Sequence, residues 1–337
     1  MTTDSEPSGA LWENTAYKVG LFENKAAASI PISFSQATPD FVPYLYNRAD
    51  HLLTQTDGPI FTFYLLEKSS HHLLALLSLT VDEERSAWSP PRAPFGGIQC
   101  SAAAPPEAVA FLLDCLKIWA QTHSITTLTL KTAPAIYQPR QHELLHQLYV
   151  KTGFTVLNQV PNHHIPVSSQ AFSNLLSPAE RRRLRKCQRA GLVARPWYQP
   201  DAEAVYRFVE TSRCQQGYAL TLTLDRLRIL LHQFPDHFLV FAVYDRDTIA
   251  SLTVAVRVSQ EVLYNFLPAD NLNYRTYSPT VLLNAALYQY CQAGQMQVLD
   301  LGTSLDHTGQ PKPSLMRFKE RLGGIESQKI TYRLEIS

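Results

Sequence analysis

The clearest hydrophobic pattern lies in the second half of the chain, where helical and strand-like spacings follow one another. Apolar residues one turn apart, such as Val205 and Val209, predict a helix over residues 201–216. Short runs rich in β-branched and aromatic residues predict strands. The full predicted order is helices over 201–216 and 224–234, strands over 238–244, 248–258 and 261–267, a helix over 279–293, a strand over 298–301, a helix over 311–322 and a strand over 330–336.

The first half of the chain repeats this order more loosely. The pattern predicts paired strands over 60–67 and 71–81, a turn rich in proline and glycine over 86–99, a helix over 106–122, a strand over 125–131, a helix over 139–152 and a strand region over 154–166. We therefore expect two structural repeats. They are a domain over 1–170, a basic linker over 171–195 and a second domain over 196–337.

Composition supports two ordinary folded domains and gives no general reason to expect binding to nucleic acid or to a membrane. The chain has 337 residues, 45% of them hydrophobic, which is enough for two cores. Lys plus Arg is 30 and Asp plus Glu is 29, so no global charge favours nucleic acid or an anionic membrane. No run approaches the ~18 apolar residues that span a bilayer, and residues 1–14 contain no apolar leader segment.

The five cysteines are scattered, and none of them forms a CxxC pair. Neither a disulfide framework nor a zinc site is indicated. Reduced thiols in a cytoplasmic protein are the simplest interpretation.

A short basic helix is predicted between the two halves. Ser177 can act as its N-cap, and Glu180 follows at the capping-box spacing. Six cations follow within nine residues: Arg181, Arg182, Arg183, Arg185, Lys186 and Arg189. They could bind the phosphates of tRNA or coenzyme A, or they could form a solvated face whose arginine stems pack between domains.

Four motifs in the second half resemble those of FemAB-type transferases in the GNAT-like acyltransferase superfamily. The basic segment 182–192 resembles the linker between the two halves of those proteins. Thr211-Ser212-Arg213 resembles a conserved helix end, Asp300-Leu301-Gly302-Thr303 resembles a strand end, and the segment 318–324, Phe-Lys-Glu-Arg-Leu-Gly-Gly, resembles a signature near the C-terminus. The resemblance covers about residues 175–335 and is only thematic before them.

The resemblance implies an α/β (α+β) protein with two tandem GNAT-like domains, each a mixed central sheet flanked by helices. It implies an N-acyltransferase that acts on a small-molecule or peptide amine, with acetyl-CoA or another acyl-CoA as the favoured donor. FemAB proteins use aminoacyl-tRNA on peptidoglycan precursors. The chain has no coiled-coil insertion, and Arg321-Leu322 stands where those proteins favour Gly-Phe, which argues against their tRNA and peptidoglycan roles.

Two alternatives stay open beside the acyl-CoA enzyme. One is a catalytically inactive GNAT pair that binds a ligand or partner. The other is an aminoacyl-tRNA-dependent transferase. The first domain has no glycine-rich phosphate loop before its helix at Pro106, so we expect it to be non-catalytic.

The expected donor-binding loop is the segment 275–280 before the helix that starts at Pro279. Arg275 fits the first position of the GNAT phosphate loop, whereas Ser278 and Thr280 replace its two small residues. Their hydroxyls, together with Tyr277 and Lys319, are the candidate cofactor-binding groups. The alternative is an ordinary helix start with Ser278 as N-cap.

Three side chains are the candidate catalytic groups. Asp300 and His307 follow a late strand, where ends of strands in α/β sheets face ligand crevices. Either could deprotonate an attacking amine, and Tyr264 could protonate a leaving thiolate. The alternatives are a capped loop for the first two and packing for Tyr264. In the first domain, the segment 89–97 is either an acceptor-binding loop or a rigid structural one.

Overall fold

The computed structural model describes residues 11–24, 37–39, 41–56, 58–90 and 92–336. Two parts of the sequence predictions lie outside the described residues. They are residues 1–10, in which no leader segment is predicted, and Pro91 of the proline-rich loop. The chain divides into two compact units, Met1–Gln159 with Gln328–Ser337, and Val160–Ser327. The last ten residues therefore belong to the first unit, whereas the sequence analysis assigns 196–337 to the second domain.

The first unit contains eight strands and three α-helices before the chain enters the second unit, counted over the described residues. These are β1 (Leu11–Glu13), β2 (Tyr17–Asn24), β3 (Thr38–Pro39), α1 (Ala49–Leu52), β4 (Ile60–Glu67), β5 (His72–Val81), β6 (Ser86–Ser89), β7 (Gln99–Cys100), α2 (Pro106–Thr122), β8 (Thr127–Lys131) and α3 (Pro139–Thr152). Single 3-10 turns lie at Leu45–Asn47 and Ala135–Tyr137. The hydrophobic pattern missed β1 to β3 and α1, and it predicted a turn over 86–99, where the structure has β6 and the start of β7.

The second unit follows from β9 (Thr155–Pro166), which starts in the first unit. Its elements are α4 (Phe172–Leu175), α5 (Pro178–Arg189), β10 (Val193–Pro196), α6 (Ala202–Gln215), α7 (Leu224–Gln233), β11 (Phe238–Asp245), β12 (Thr248–Arg257), β13 (Val262–Asp270), a 3-10 turn (Leu272–Tyr274), α8 (Pro279–Ala293), β14 (Val298–Thr303) and α9 (Pro313–Arg321). The final strand, β15 (Ile325–Glu335), leads back into the first unit. The predicted order of elements in this half is confirmed.

Each unit has a mixed sheet flanked by helices, as the sequence predicts. In the first unit the order is β1-β2-β4-β5-β6-β8-β15, and β6 is parallel to β8. In the second unit the order is β9-β14-β13-β12-β11-β10, and β13 is parallel to β14. One neighbour of β14, the strand β9, comes from the start of the second unit's sequence, so residues of β14 meet side chains that are distant along the chain.

The helices bury the apolar faces that their spacing predicts. In the first unit, Leu112, Leu116 and Trp119 of α2 lie in the core. In the second unit, α8 packs its apolar residues against strand residues such as Leu263 and Leu299. Since neighbouring strand residues point to opposite faces, Tyr264 and Asp300 lie on the other face of the sheet from this core.

Candidate functional site

The loop between β13 and α8, together with the first turn of α8, carries four of the five residues expected to bind the donor. Arg275 is exposed, and Tyr277, Ser278 and Thr280 are half-buried. Ser278 has φ 57° and ψ 59°, and its side chain makes no capping hydrogen bond. The expectation that its hydroxyl caps α8 is therefore wrong, because the left-handed backbone turns the side chain away from the helix start.

The Thr280 hydroxyl is already engaged within the protein. It donates to both carboxylate oxygens of Asp270, at 2.6 and 2.8 Å. Burial raises the pKa of Asp270, and the hydrogen bond from Thr280 opposes that shift. A phosphate could reach the Thr280 hydroxyl only by replacing Asp270, so the main-chain N–H groups of this turn are the better candidate donors. The sequence analysis did not identify Asp270.

At the end of β14, Asp300 and Tyr264 lie side by side as register partners of parallel strands. Asp300 is 1% exposed. Its Oδ1 accepts hydrogen bonds from Asn162 Nδ2 at 2.8 Å and from the Gly302 N–H at 2.7 Å. The pairing of β14 with β9 is irregular between Asp300 and Gly302. The carboxylate therefore holds a bulge at the strand end.

The Tyr264 ring packs directly against this bulge. Gly302 has φ +74°, and a Cβ added to it would lie 3.0 Å from the Tyr264 Cε2. Only glycine meets both requirements at this position. Burial raises the pKa of Tyr264, the Asp300 charge raises it further, and Arg213 partly opposes them. Tyr264 consequently keeps its hydroxyl proton at neutral pH.

Lys319 extends from α9 to the same bulge. Its Nζ donates to the carbonyls of Gly302 and Thr303, each at 2.8 Å. Burial lowers the pKa of Lys319 to about 7, and the charge of Asp300 opposes this effect. The structure thus brings Lys319 together with Asp300 and Tyr264 at the end of β14. Its neighbour Phe318 packs against the core.

Two histidines of β9 also lie at this strand end, and the sequence analysis missed both. His163 is fully buried, with its Nδ1 3.4 Å from the Ser304 Oγ, and its Nε2 has no hydrogen-bond partner among the described residues. His164 is the register partner of Asp300. Desolvation lowers the pKa of both imidazoles. The signal was present as an Asn-His-His run in a predicted strand, where buried polar side chains are unusual.

The loop after β14 carries His307, the third candidate catalytic residue. His307 is exposed, and its ring lies edge-on to Tyr218 with 6.5 Å between centroids. Lys312 Nζ donates to the Tyr218 hydroxyl at 3.0 Å, and the Arg213 guanidinium lies 5.7 Å from the centre of the same ring. In the described part of the chain, the buried Nε of Arg213 has no hydrogen-bond partner. Two cations thus flank one partly exposed tyrosine.

In the first unit, the described part of the proline-rich loop is tightly packed. A Cβ on Gly96 would lie 2.9 Å from the Pro90 nitrogen and 2.9 Å from the Ser89 Oγ. Ser89 Oγ also accepts the N–H of Gly97 at 2.9 Å. These contacts favour the rigid structural interpretation of the loop.

Comparison with known proteins finds a matching family model within the second unit. Residues 180–319 match a family model described as "Acetyltransferase (GNAT) domain". No match is found among curated proteins. Among the described residues, no helix is long and apolar enough to cross a membrane.

Several solved structures are similar in fold. FemX has 12% identity and a TM-score of 0.63, with 84% of this chain and 90% of FemX covered. A conserved protein of unknown function from Bacteroides thetaiotaomicron has 11% identity and a TM-score of 0.58, with 90% and 96% covered. The C-terminal domain of a putative lysylphosphatidylglycerol synthetase from Agrobacterium fabrum has 10% identity and a TM-score of 0.56, with 87% of each chain covered. At such identities the likeness shows the fold alone.

Proposed function

We propose that this chain, whose residues 180–319 match a model of a GNAT acetyltransferase domain, moves an acyl group from acetyl-CoA or another acyl-CoA to an amine of a small molecule or peptide. The observation that carries the choice of donor is the left-handed turn at Ser278, immediately before α8. That backbone is the one a glycine would normally supply in a phosphate-binding loop. The N-terminus of α8 then offers main-chain N–H groups and a positive dipole end to a diphosphate.

The chemistry proposed is direct attack of the amine nitrogen on the thioester carbonyl carbon. A C–N bond forms, the C–S bond breaks and the thiolate of coenzyme A leaves. Tyr264 is proposed to protonate the leaving sulfur, because its hydroxyl carries a proton at neutral pH and it lies beside Asp300 where β13 pairs with β14. The proton lost from the amine goes to His307, which is exposed beside Tyr218, whereas Asp300 is buried.

Asp300 and Lys319 are proposed to hold the strand end in its reactive shape. Asp300 accepts a hydrogen bond from the Gly302 N–H, and Lys319 donates hydrogen bonds to the carbonyls of Gly302 and Thr303. These two carbonyls use both N–H groups of a neutral Lys319 amine, or two of the three of its charged form.

The acceptor is proposed to carry an anionic group close to its amine. Arg213 and Lys312 flank Tyr218, and within the described residues neither forms an ion pair with a carboxylate. A carboxylate or phosphate on the acceptor would neutralise them and supply a partner for the Arg213 Nε. The five thiols are consistent with the reducing cytoplasm that the proposal assumes.

Calorimetric titration with acetyl-CoA tests the proposal, followed by a screen of amines for acyl transfer. We expect acetyl-CoA to bind in the micromolar range. Tyr264→Phe should keep that affinity and lower kcat by about 100-fold or more, as expected for loss of a general acid. An unchanged kcat in Tyr264→Phe would remove Tyr264 from the mechanism. Absence of acetyl-CoA binding would remove the donor.

A second candidate donor is aminoacyl-tRNA, and the surface of α5 favours it. Arg182, Arg185 and Arg189 are exposed at a spacing that puts them along one side of the helix. Together they form a basic stripe suited to phosphates. Changing all three to Glu should abolish a tRNA mobility shift, and an unaltered shift would reject this candidate. If neither acetyl-CoA nor aminoacyl-tRNA binds, the inactive ligand-binding alternative becomes the leading one.

A further inference from the structure

The charges of α5 do not form one uniform basic surface. Arg181 donates to the carbonyls of Ser173 and Leu176 at the start of the helix. Arg183 pairs with the buried Glu180 at 2.8 Å. Lys186 also makes a specific contact, but it reaches to a different element, the loop before α8. Its role is therefore separate from that of the exposed arginines.

Three consecutive carbonyls of the loop before α8 face α5. Lys186 Nζ donates to the Thr276 carbonyl at 2.7 Å, and its ammonium lies 4.9 Å from the centre of the Tyr277 ring. The next residue, Cys187, places its Sγ 3.1 Å from the Tyr277 carbonyl and 3.8 Å from that of Ser278. One turn of α5 thus holds the carbonyl side of the loop.

Holding the carbonyls also fixes where the N–H groups point. In a trans peptide, the C=O of one residue and the N–H of the next point in opposite directions. The N–H groups of Tyr277 and Ser278 consequently point away from α5. The Tyr277 N–H is bonded to the Tyr274 carbonyl at 2.9 Å. The left-handed Ser278 adds the backbone shape of an anion-binding nest.

We propose that Lys186 and Cys187 are positioning residues of the donor-binding loop: they hold its carbonyls so that the Ser278 N–H faces the acyl donor. The inference rests on the proposed function, because it takes this loop as the place where the donor binds. Lys186 does not touch the donor in this scheme. Replacing Lys186 with an uncharged residue should therefore weaken binding of the acyl donor because the geometry of the loop changes, and not because a charge is lost.

Two variants of Lys186 and one control separate these causes. Lys186→Met keeps the apolar stem of the side chain and removes the hydrogen bond to the Thr276 carbonyl. Lys186→Arg restores a positive charge and a hydrogen-bond donor. Arg207→Met, on an exposed arginine of α6, removes one charge from the same unit with no contact to the loop. We expect Lys186→Met to raise the Kd and KM of acetyl-CoA about tenfold with kcat unchanged. Lys186→Arg should recover most of the affinity, and Arg207→Met should match the wild type.

Hydrogen exchange supplies a readout that does not depend on activity. In Lys186→Met, the amides of Tyr277, Ser278 and Thr280 should exchange faster than in the wild type and in Arg207→Met. Unchanged exchange would overturn the proposal, and so would equal weakening of acetyl-CoA binding by Lys186→Met and Arg207→Met. Faster exchange in a protein that does not bind acetyl-CoA would support the positioning role and reject the proposed donor.

Discussion

Ser278 shows how a single backbone conformation decides the character of a loop. It adopts the left-handed region at the start of α8, where most non-glycine residues are strained. The sequence indicates a serine N-cap, because Ser-Pro is a common start of a helix. Residue identity does not reveal φ, however, and here the loop is folded against α5 in a shape that prevents capping.

Replacing Ser278 with Gly should relieve this strain. We expect Ser278→Gly to raise the free energy of unfolding by about 1 kcal/mol, since the left-handed region costs L-residues ~1–2 kcal/mol and glycine adds flexibility to the unfolded chain. Urea denaturation measures the change. Ser314→Gly, in the first turn of α9, is the control and should destabilise the protein. A loss of stability in Ser278→Gly would contradict the strain argument.

Lys319 is a buried ammonium whose pKa burial lowers to about 7 from 10.5. Between these two values the unfolded chain holds a proton that the folded chain has lost. The free energy of unfolding should therefore increase as pH rises from about 7 towards 10.5, and the penalty of burying the charge is fully present below pH 7.

Lys319→Met should remove this contribution and flatten the slope over that pH range. The variant should also be less stable overall, because the carbonyls of Gly302 and Thr303 lose their shared donor. Urea denaturation at a series of pH values measures both effects. Equal slopes in the wild type and the variant would mean that Lys319 stays charged in the folded protein.

Among the elements, α5 is the one whose start follows most directly from local sequence. The Ser177 side chain accepts the N–H of Glu180, which confirms the predicted cap. The sequence analysis considered phosphate binding or a solvated face for the cations of α5, and neither describes the contact of Lys186 with the loop before α8. Local pattern places cations on a helix, but only the neighbouring loop decides that Lys186 is used as a contact.

Removing the cap gives a test at the level of this element. Ser177→Ala should lower the free energy of unfolding by about 1 kcal/mol, the usual effect of losing an N-cap side chain. Ser173→Ala, whose hydroxyl lies outside the cap, should change it by less than ~0.5 kcal/mol. Thermal unfolding of the three proteins compares them directly. A Ser177→Ala variant as stable as the wild type would mean that the 3.4 Å contact is not formed in solution.

At the scale of the molecule, the final strand completes the first unit. Residues 331–335 of β15 pair with β8, and Tyr332 lies in the core of that unit. The Tyr332 hydroxyl is 2.8 Å from His146 Nδ1, and its ring lies 4.7 Å from that of Tyr149. The stability of the first unit therefore depends on the last residues of the chain.

Tyr332→Ala should destabilise the first unit by about 3–5 kcal/mol, the range for removing a large aromatic side chain from a core. Three of the four tryptophans, Trp12, Trp88 and Trp119, lie in that unit, so tryptophan fluorescence during urea unfolding reports on it. Tyr198→Ala, at an 83% exposed site, is the control and should have little effect. Unfolding of the first unit at the wild-type urea concentration would show that β15 is dispensable there.

Hydrophobic periodicity by itself determined the order of helices and strands in the second half, because each element repeats its apolar spacing over enough residues to identify it. Local motifs also placed Asp300 near the end of a strand and Lys319 near the end of a helix. Their grouping depended on tertiary structure. Asn162, the partner of Asp300, is 138 residues away in the chain, and the assignment of β15 to the first unit rests on pairing with β8. Contacts between distant segments leave no periodic signal, so Asp270, His163 and the loop contact of Lys186 emerged only when the sheet and helices were assembled.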